Sequence, residues 1–326
     1  MKTLNKKESI LTINELAVSG KPFLMISDFK GEKNHILTDE EIVDDNILFY
    51  INGHTNNKGP VSSIVPVEIK KNPIPFKEYQ SLYEDVHKEL SQGNTYLLNL
   101  TCATDIELNG SLKDVFRKSP AKYKLWLNEE IVVFSPEIFV RIEDGKISSF
   151  PMKGTIDASV PGAKEIILSS KKEKAEHTTI VDLIRNDMSI NAQNVRVEKF
   201  RYIDEVKTSS KHLLQVSSKI VGDLDKNYYS RLGEIIYSLL PAGSICGAPK
   251  KKTLEIIKKT EGYDRGYYTG VMGYFDGQSF DSGVMIRYIE KIDGNYIYKS
   301  GGGIHFLSDP ETEYQEMIDK IYVPIH

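Results

Sequence analysis

Apolar positions along the chain follow two periods, and each predicts its own elements. Phe76 to Gln92 carries its apolar residues at helical spacing and predicts an amphipathic helix. Tyr96 to Ala103, Ile131–Phe134 and Ile138–Ile142 are short apolar runs that read as strands. Asp144-Gly145 is a hairpin turn into a further strand, Lys146–Pro151. Near the C-terminus, Tyr267–Phe275, Val284–Lys291 and Asn295–Ser300 predict a three-strand meander, with turns at Asp276-Gly277 and Asp293-Gly294. Lys164 to Met188 predicts one long helix, with Val181 and Ile184 on its apolar side. A second helix begins near Ser308-Asp309-Pro310. Ser308 with Glu311 fits a capping box, and Asp309 with Pro310 fits an N-cap followed by proline. Its core stripe is Tyr314, Met317, Ile318 and Ile321. Hairpins imply antiparallel sheet, and the helices are scattered between strands rather than alternating with them. The class is therefore α+β.

The stretch Asn52 to Pro75 is rich in glycine and proline and reads as a loop. It places a soft boundary between residues 1–75, a short β-rich lobe packed on the core, and residues 76–326, the core itself. Together they make one globular unit.

Charge and composition narrow the function. A net charge of −4 argues against a general nucleic-acid binder, which needs a basic stripe for phosphates. Cys102 and Cys246 lie far apart, with no CxxC or Cys/His spacing, so neither a disulfide framework nor structural zinc is expected. Met1 to Ile10 is charged and lacks the apolar core of a signal peptide, and no apolar run approaches the ~20 residues of a membrane span. A cytoplasmic protein with no membrane partner is expected.

Several residue groups carry candidate chemistry. Glu173 and Glu176 are three apart and share a helix face, and His177 follows. Glu313, Glu316 and Lys320 form a second charged stripe. Each stripe alone reads as a solvated face. Joined across a cleft, four carboxylates suit a hard cation such as Mg²⁺, which takes one or two carboxylates directly and keeps waters. Gly301-Gly302-Gly303, between the last strand and the second helix, lets backbone N–H groups approach an anion. Arg287, read as part of an apolar strand on the face of Met285 and Ile289, needs a partner such as a substrate carboxylate. Gly243 to Lys250 lacks the GxxxxGK[ST] spacing and is not a nucleotide P-loop. Lys153 ends a strand-like run, just before a Gly-Thr turn, and alone reads as a surface lysine.

Taken together, these segments resemble the chorismate-utilising enzymes, which include anthranilate, aminodeoxychorismate, isochorismate and salicylate synthases. The resemblance covers about residues 76–326. It rests on Ser135-Pro136-Glu137, PMKGT at 151–155, AEHTTIVDLIRND at 175–187, AGSICGAPKKK at 242–252, RGYYTGVMGY at 265–274 and GGGIHFLSDPETEYQEMIDK at 301–320. It implies a four-layer α/β/β/α fold, with two packed, roughly orthogonal antiparallel sheets, outer helices and a Mg²⁺-chorismate site between the sheets. By position, Glu176 and Glu316 match metal ligands, with Glu173 and Glu313 acting through water. Gly154, Thr155, Ser244, Gly247, Tyr268, Arg287, Gly301, Gly302, Gly303 and Lys320 match substrate-binding positions. Lys153, Glu137 and His212 match catalytic ones.

Three positions separate members of the family. Lys153 stands where anthranilate synthases usually carry alanine and aminodeoxychorismate synthases carry lysine. Leu97 stands where isochorismate and salicylate synthases carry a water-activating lysine and ammonia-using members usually carry glutamine. The tryptophan-sensing LLES-type run is not evident in residues 1–75. The resemblance thus implies 4-amino-4-deoxychorismate synthase. Lys153, made neutral by a desolvated site, would attack C2, and Glu137, its pKa raised by burial near Phe134 and Phe139, would serve as general acid. The alternatives are anthranilate synthase component I or a non-catalytic chorismate-binding subunit. No Gly-x-Cys-x-Gly nucleophile with a downstream HxE is present, and the chain ends soon after the last family helix. A separate glutamine amidotransferase partner and a separate aminodeoxychorismate lyase are expected.

Overall fold

The computed structural model describes residues 1–43, 46–59, 67–207 and 212–324. Its helices are α1 (Lys6–Val18), α2 (Phe76–Ser91), α3 (Leu112–Lys118), α4 (Ala163–Ser169), α5 (Lys171–Met188), α6 (Leu232–Ser238), α7 (Lys250–Thr260) and α8 (Pro310–Asp319). The early strands are β1 (Phe23–Ser27), β2 (Asn34–Thr38), β3 (Ile47–Ile51), β4 (His54–Thr55), β5 (Glu68–Asn72) and β6 (Leu97–Asn109). The middle of the chain gives β7 (Tyr123–Leu127), β8 (Ile131–Ser135), β9 (Ile138–Glu143), β10 (Lys146–Ser149), β11 (Met152–Asp157), β12 (Gln193–Lys207) and β13 (His212–Asp223). The last strands are β14 (Gly247–Ala248), β15 (Val271–Phe275), β16 (Phe280–Val284), β17 (Tyr288–Ile292) and β18 (Asn295–His305).

Two antiparallel sheets form. One runs β11-β13-β10-β9-β16-β15-β1-β2, with β12 also on β13. The other runs β14-β6-β18-β17-β8-β7-β3-β4, with β5 also on β6. Three apolar clusters stack across the molecule. Between the sheets lie Leu24, Ile26, Phe49, Leu125, Val133, Met272 and Met285. Outside the first sheet, Ile13, Val181, Ile235 and Ile236 bring α1, α5 and α6 onto its strands. Outside the second, Tyr83, Val86, Val115, Ile257 and Met317 bring in α2, α3, α7 and α8. Helix, sheet, sheet and helix are thus four layers, the expected α+β architecture.

Residues 1–75 supply α1 and five strands. Within them β1 and β2 extend the first sheet, and β3, β4 and β5 the second. The loop-like boundary at 52–75 falls partly on residues 60–66, outside the described residues.

Three predicted elements differ from the structure. The single helix Lys164–Met188 is two. Ser170, at φ −58° and ψ 114°, ends α4 and caps α5, its Oγ accepting from Glu173 N at 3.3 Å. Serine competes with helix continuation by bonding the next backbone, which an apolar pattern does not register. The meander is two hairpins in different sheets. β15 pairs β16 in the first sheet and β17 pairs β18 in the second, joined by a corner at Met285–Arg287. Arg287 therefore lies outside any strand, at φ 54°, and does not alternate with Met285 and Ile289. The glycine triplet is inside β18, paired with Thr101, Leu100 and Asn99, rather than between strand and helix. The start of α8 is settled by Asp309, whose side chain accepts from Thr312 N, with Pro310 in the first turn.

Candidate active site

Lys153 owes its aim to a flaw in the ladder. Met152 pairs with Ser217 and Thr155 with Gln215, so β11 carries one residue more than β13 between these pairs. Gly154 absorbs the excess at φ 82°, a left-handed conformation that side chains disfavour. Such a bulge re-aims a neighbouring side chain. Lys153 Nζ accordingly lies 3.4 Å from Glu176 Oε2, with its side chain 22% exposed. A Cβ on Gly154 would meet Glu173 Oε2 at 3.0 Å, which places Glu173 against the same bulge.

The opposite wall is β18 with α8. A Cβ on Gly302 would lie 3.5 Å from Glu313 Oε2 and 3.7 Å from both Glu316 Oε1 and Lys320 Nζ. One on Gly303 would lie 3.0 Å from Lys153 Nζ, 3.3 Å from a Leu97 methyl and 3.8 Å from Glu176 Oε2. The bare backbone of β18 is thus approached by both acidic helices, α8 at Gly302 and α5 at Gly303. Lys320 pairs with Glu316 at 2.6 Å and donates to Gly301 O at 2.8 Å. Buried Glu313 accepts from Ser308 Oγ at 2.7 Å. Glu176 is buried and carries a second neighbour, His305 Nε2, at 3.0 Å.

Glu137 follows β8 and accepts a hydrogen bond from Ser244 Oγ at 2.5 Å. Burial raises its pKa, as expected; Ser244, Lys153, Arg287 and Lys320 pull against that rise without cancelling it. Its apolar surroundings include Phe139, Ile184, Met188 and Leu239, which line a small pocket beside it with Asp187 and Ser244. For Lys153 the outcome reverses the expectation of a neutral amine. Burial alone would lower it, but Glu176, Glu316, Glu173 and Glu137 outweigh burial and hold the ammonium above its usual range. Burial would raise Glu316, yet Lys320 and Lys153 outweigh it and hold that carboxyl low.

Most predicted site residues meet here. Lys153, Gly154, Glu173, Glu176, Gly302, Gly303, Glu313, Glu316 and Lys320 surround one space. Glu137 is close enough to sense the charges of Lys153, Arg287 and Lys320. Ser244 reaches Glu137 directly, while Gly247 pairs with Leu98 at the edge of the second sheet. Tyr268 is buried within reach of the Arg287 charge. Arg287 lies 5.2 Å over the Tyr322 ring, and its Nε has no hydrogen-bond partner. Thr155 is exposed. His212 is not brought in: it is exposed at the start of β13, its ring 3.2 Å from Glu205. Strand pairing sets His212 opposite Lys207, beyond the far end of β11.

Sequence reasoning assigned no role to two histidines near the acidic wall. His177 is fully buried, its Nε2 2.6 Å from Ser218 Oγ. Ser218 N donates to Pro151 O, which ties α5 to the start of β11. Burial lowers the His177 ring to about 4, so it is neutral. His305, two residues beyond Gly303 on β18, faces the same side of the sheet; the sequence reading put the glycine triplet outside the strand and so offered no such alternation.

The carboxylates fit a hard cation in donor chemistry. Among the described residues no three acidic, His or Cys side chains are gathered as a ready ligand set. Lys153 and Lys320 neutralise the carboxylates instead. Mg²⁺ needs only one or two carboxylates beside water and substrate oxygens, so Glu176 and Glu316 are the residues that would hold it.

Among the described residues no helix is long and apolar enough to cross a membrane. An uncharacterised PabA-like protein of Haemophilus influenzae is 46% identical over 304 residues, 93% of this chain and 92% of that one. Anthranilate synthase component 1 of Aquifex aeolicus is 30% identical over 75% of this chain and 51% of its own length. Aminodeoxychorismate synthase component 1 of Bacillus subtilis is 28% identical over 76% of this chain and 55% of its own. The menaquinone-specific isochorismate synthase of Escherichia coli superposes with a TM-score of 0.75 at 15% identity, covering 98% of this chain and 82% of that one. The family model for chorismate binding enzymes matches residues 28–326, nearly the whole of both sheets and all the acidic wall, and the chain belongs to that family.

Proposed function

We propose that this chain aminates chorismate at C4, with ammonia and Mg²⁺, to give 4-amino-4-deoxychorismate on the route to 4-aminobenzoate and folate. The observation that carries this reading is Lys153: a bulge aims its amine at the space between Glu176 and Gly303, where Leu97 offers only hydrocarbon. A nucleophile is therefore supplied by β11, and no lysine on β6 is available to activate water. The Bacillus subtilis relative supports the same reaction class.

Glu176 and Glu316 would hold the cation, with Glu173 and Glu313 acting through water. Mg²⁺ held there would supply charge compensation for the ring carboxylate, and Glu176 and Glu316, committed to it, would hold the Lys153 ammonium less strongly. Lys153 sheds its proton and its nitrogen bonds to C2. The ring double bonds shift and the C4–O bond breaks, the hydroxyl leaving as water with a proton from Glu137. Ammonia then bonds to C4, the double bonds shift back, and the C2–N bond to Lys153 breaks. The proton that ammonia loses replaces the one Glu137 gave, and Lys153 regains its own. Arg287, Tyr268 and Lys320, with the amides of β18, would hold the substrate carboxylates. The ammonia would come from a separate glutamine amidotransferase, and aromatisation would fall to a separate lyase.

The test is to incubate the chain with chorismate, Mg²⁺ and ammonium at alkaline pH and identify the products by mass. Aminodeoxychorismate without pyruvate supports the proposal. Anthranilate with pyruvate would replace it by anthranilate synthase, and chorismate binding without turnover by a non-catalytic subunit.

A further inference from the structure

In the ladder between β6 and β18, Leu97 and His305 are direct partners. Directly opposed residues share one face of the sheet. That face is the site floor, since Leu97 lies beside Gly303, and Gly303 beside Lys153. On β6 the position holds hydrocarbon; across the ladder it holds an imidazole. The ring is pinned from behind, because the backbone N–H of Leu307 donates to Nδ1 at 2.9 Å. Nδ1 is therefore an acceptor, and in the neutral ring the proton is on Nε2. Nε2 is buried and points at Glu176 Oε1 from 3.0 Å, yet it lies off the line of a hydrogen bond and has no other partner. A buried donor left unsatisfied is costly, so one so placed is built for a partner that shifts into line.

We infer that His305 is a positioning residue that fixes the carboxylate of Glu176, supplying from β18 the polar group that Leu97, its ladder partner, does not supply from β6. The inference rests on the proposed cation site at Glu176 but not on which amine product forms. A small turn of the Glu176 carboxylate completes the hydrogen bond, leaving Oε2 to face Lys153 or a cation. Partners of this kind behind a ligating group hold its orientation, and their loss typically weakens metal binding about 10–100-fold.

The test uses the whole chain and direct Mn²⁺ binding, followed by electron paramagnetic resonance with chorismate present and ammonium absent. His305→Leu is expected to weaken Mn²⁺ binding at least about tenfold. His305→Gln, which keeps a donor, is expected to stay within a few-fold of the parent. Leu97→Gln placed in the His305→Leu chain is expected to recover a large part of the loss, while the same change beside Glu176→Gln recovers none. Equal Mn²⁺ affinity in His305→Leu and parent, or no recovery by Leu97→Gln in a chain whose melting matches the parent, overturns the inference. These readouts hold whether the product is aminodeoxychorismate or anthranilate, so failure of the functional reading is seen separately in the product assay.

Discussion

Two groups of buried charge lie close together in this molecule and are finished to different degrees. Arg265 and Glu261 form a fully enclosed pair. Glu261 Oε1 takes Arg265 Nη2 at 2.6 Å and Oε2 takes Nε at 2.8 Å, while Thr101 donates to Glu261 twice. Arg265 also reaches Ile245 O and Asn99 O and lies over the Phe29 ring. Each charged atom there has a protein partner. In the site, Arg287 Nε and His305 Nε2 lack a hydrogen bond, although His305 Nε2 lies 3.0 Å from Glu176, and Lys153 pairs with Glu176 at 3.4 Å. The first group is complete without a ligand and fastens β6 to the loop carrying Ser244. The second leaves polar atoms that a ligand would complete. Between these two groups the difference lies in completeness of hydrogen bonding rather than in burial.

The sharpest way to break that contrast is Lys153→Met. If Lys153 is chemical, turnover falls at least about 10³-fold while the folded state persists. A melting temperature lowered with turnover intact would move Lys153 into the structural group. Glu261→Gln is the mirror experiment. It leaves the Arg265 charge buried and unpaired, which costs about 3–5 kcal/mol of stability, read by urea unfolding. Chorismate affinity of the fraction still folded should stay near the parent's. An unchanged unfolding midpoint would show that the enclosed pair is not what holds this wall.

The same contrast explains what the sequence revealed. The strands around Ile131 and Ile138, the Asp-Gly turns and α8 were legible because local periodicity and caps dictate them. The break at Ser170 was not, since a serine there extends a helix as readily in pattern as it stops one. The corner at Arg287 was hidden because Val284 to Lys291 reads as one apolar strand, while the fold needs the chain to cross between sheets there. The acidic wall was legible in the Glu173/Glu176 and Glu313/Glu316 spacings. His305 was not, because its meaning depends on facing Leu97 across a ladder that only the fold creates. The His212 assignment rested on motif position alone, and the structure leaves that side chain outside.

Glu137→Gln probes the unfinished group at its acid. As a general acid Glu137 must hold a proton, and its raised pKa lets it do so at higher pH than an ordinary carboxyl. Activity of the parent should therefore fall as pH rises through that pKa. The amide cannot donate such a proton, so the rate should drop about 100-fold and this basic limb should vanish. Persistence of the limb in the variant would assign it to Lys153 or another group.

The mildest test changes one partner of that acid. Ser244 Oγ donates to the Glu137 carboxylate and so favours its charged form. In Ser244→Ala this stabilisation is gone, burial is opposed only by Lys153, Arg287 and Lys320, and the carboxyl rises further. The basic limb of kcat/KM should move to higher pH, because Glu137 then keeps its proton longer. The plateau rate should change by no more than about tenfold, the usual limit for one net hydrogen bond. Movement of the acidic limb to higher pH instead would mean that Glu137 works ionised, as a base, and would reverse its assigned role. A limb that does not move would mean that Ser244 serves the fold of its loop, and would place it with Arg265 and Glu261 rather than with the site.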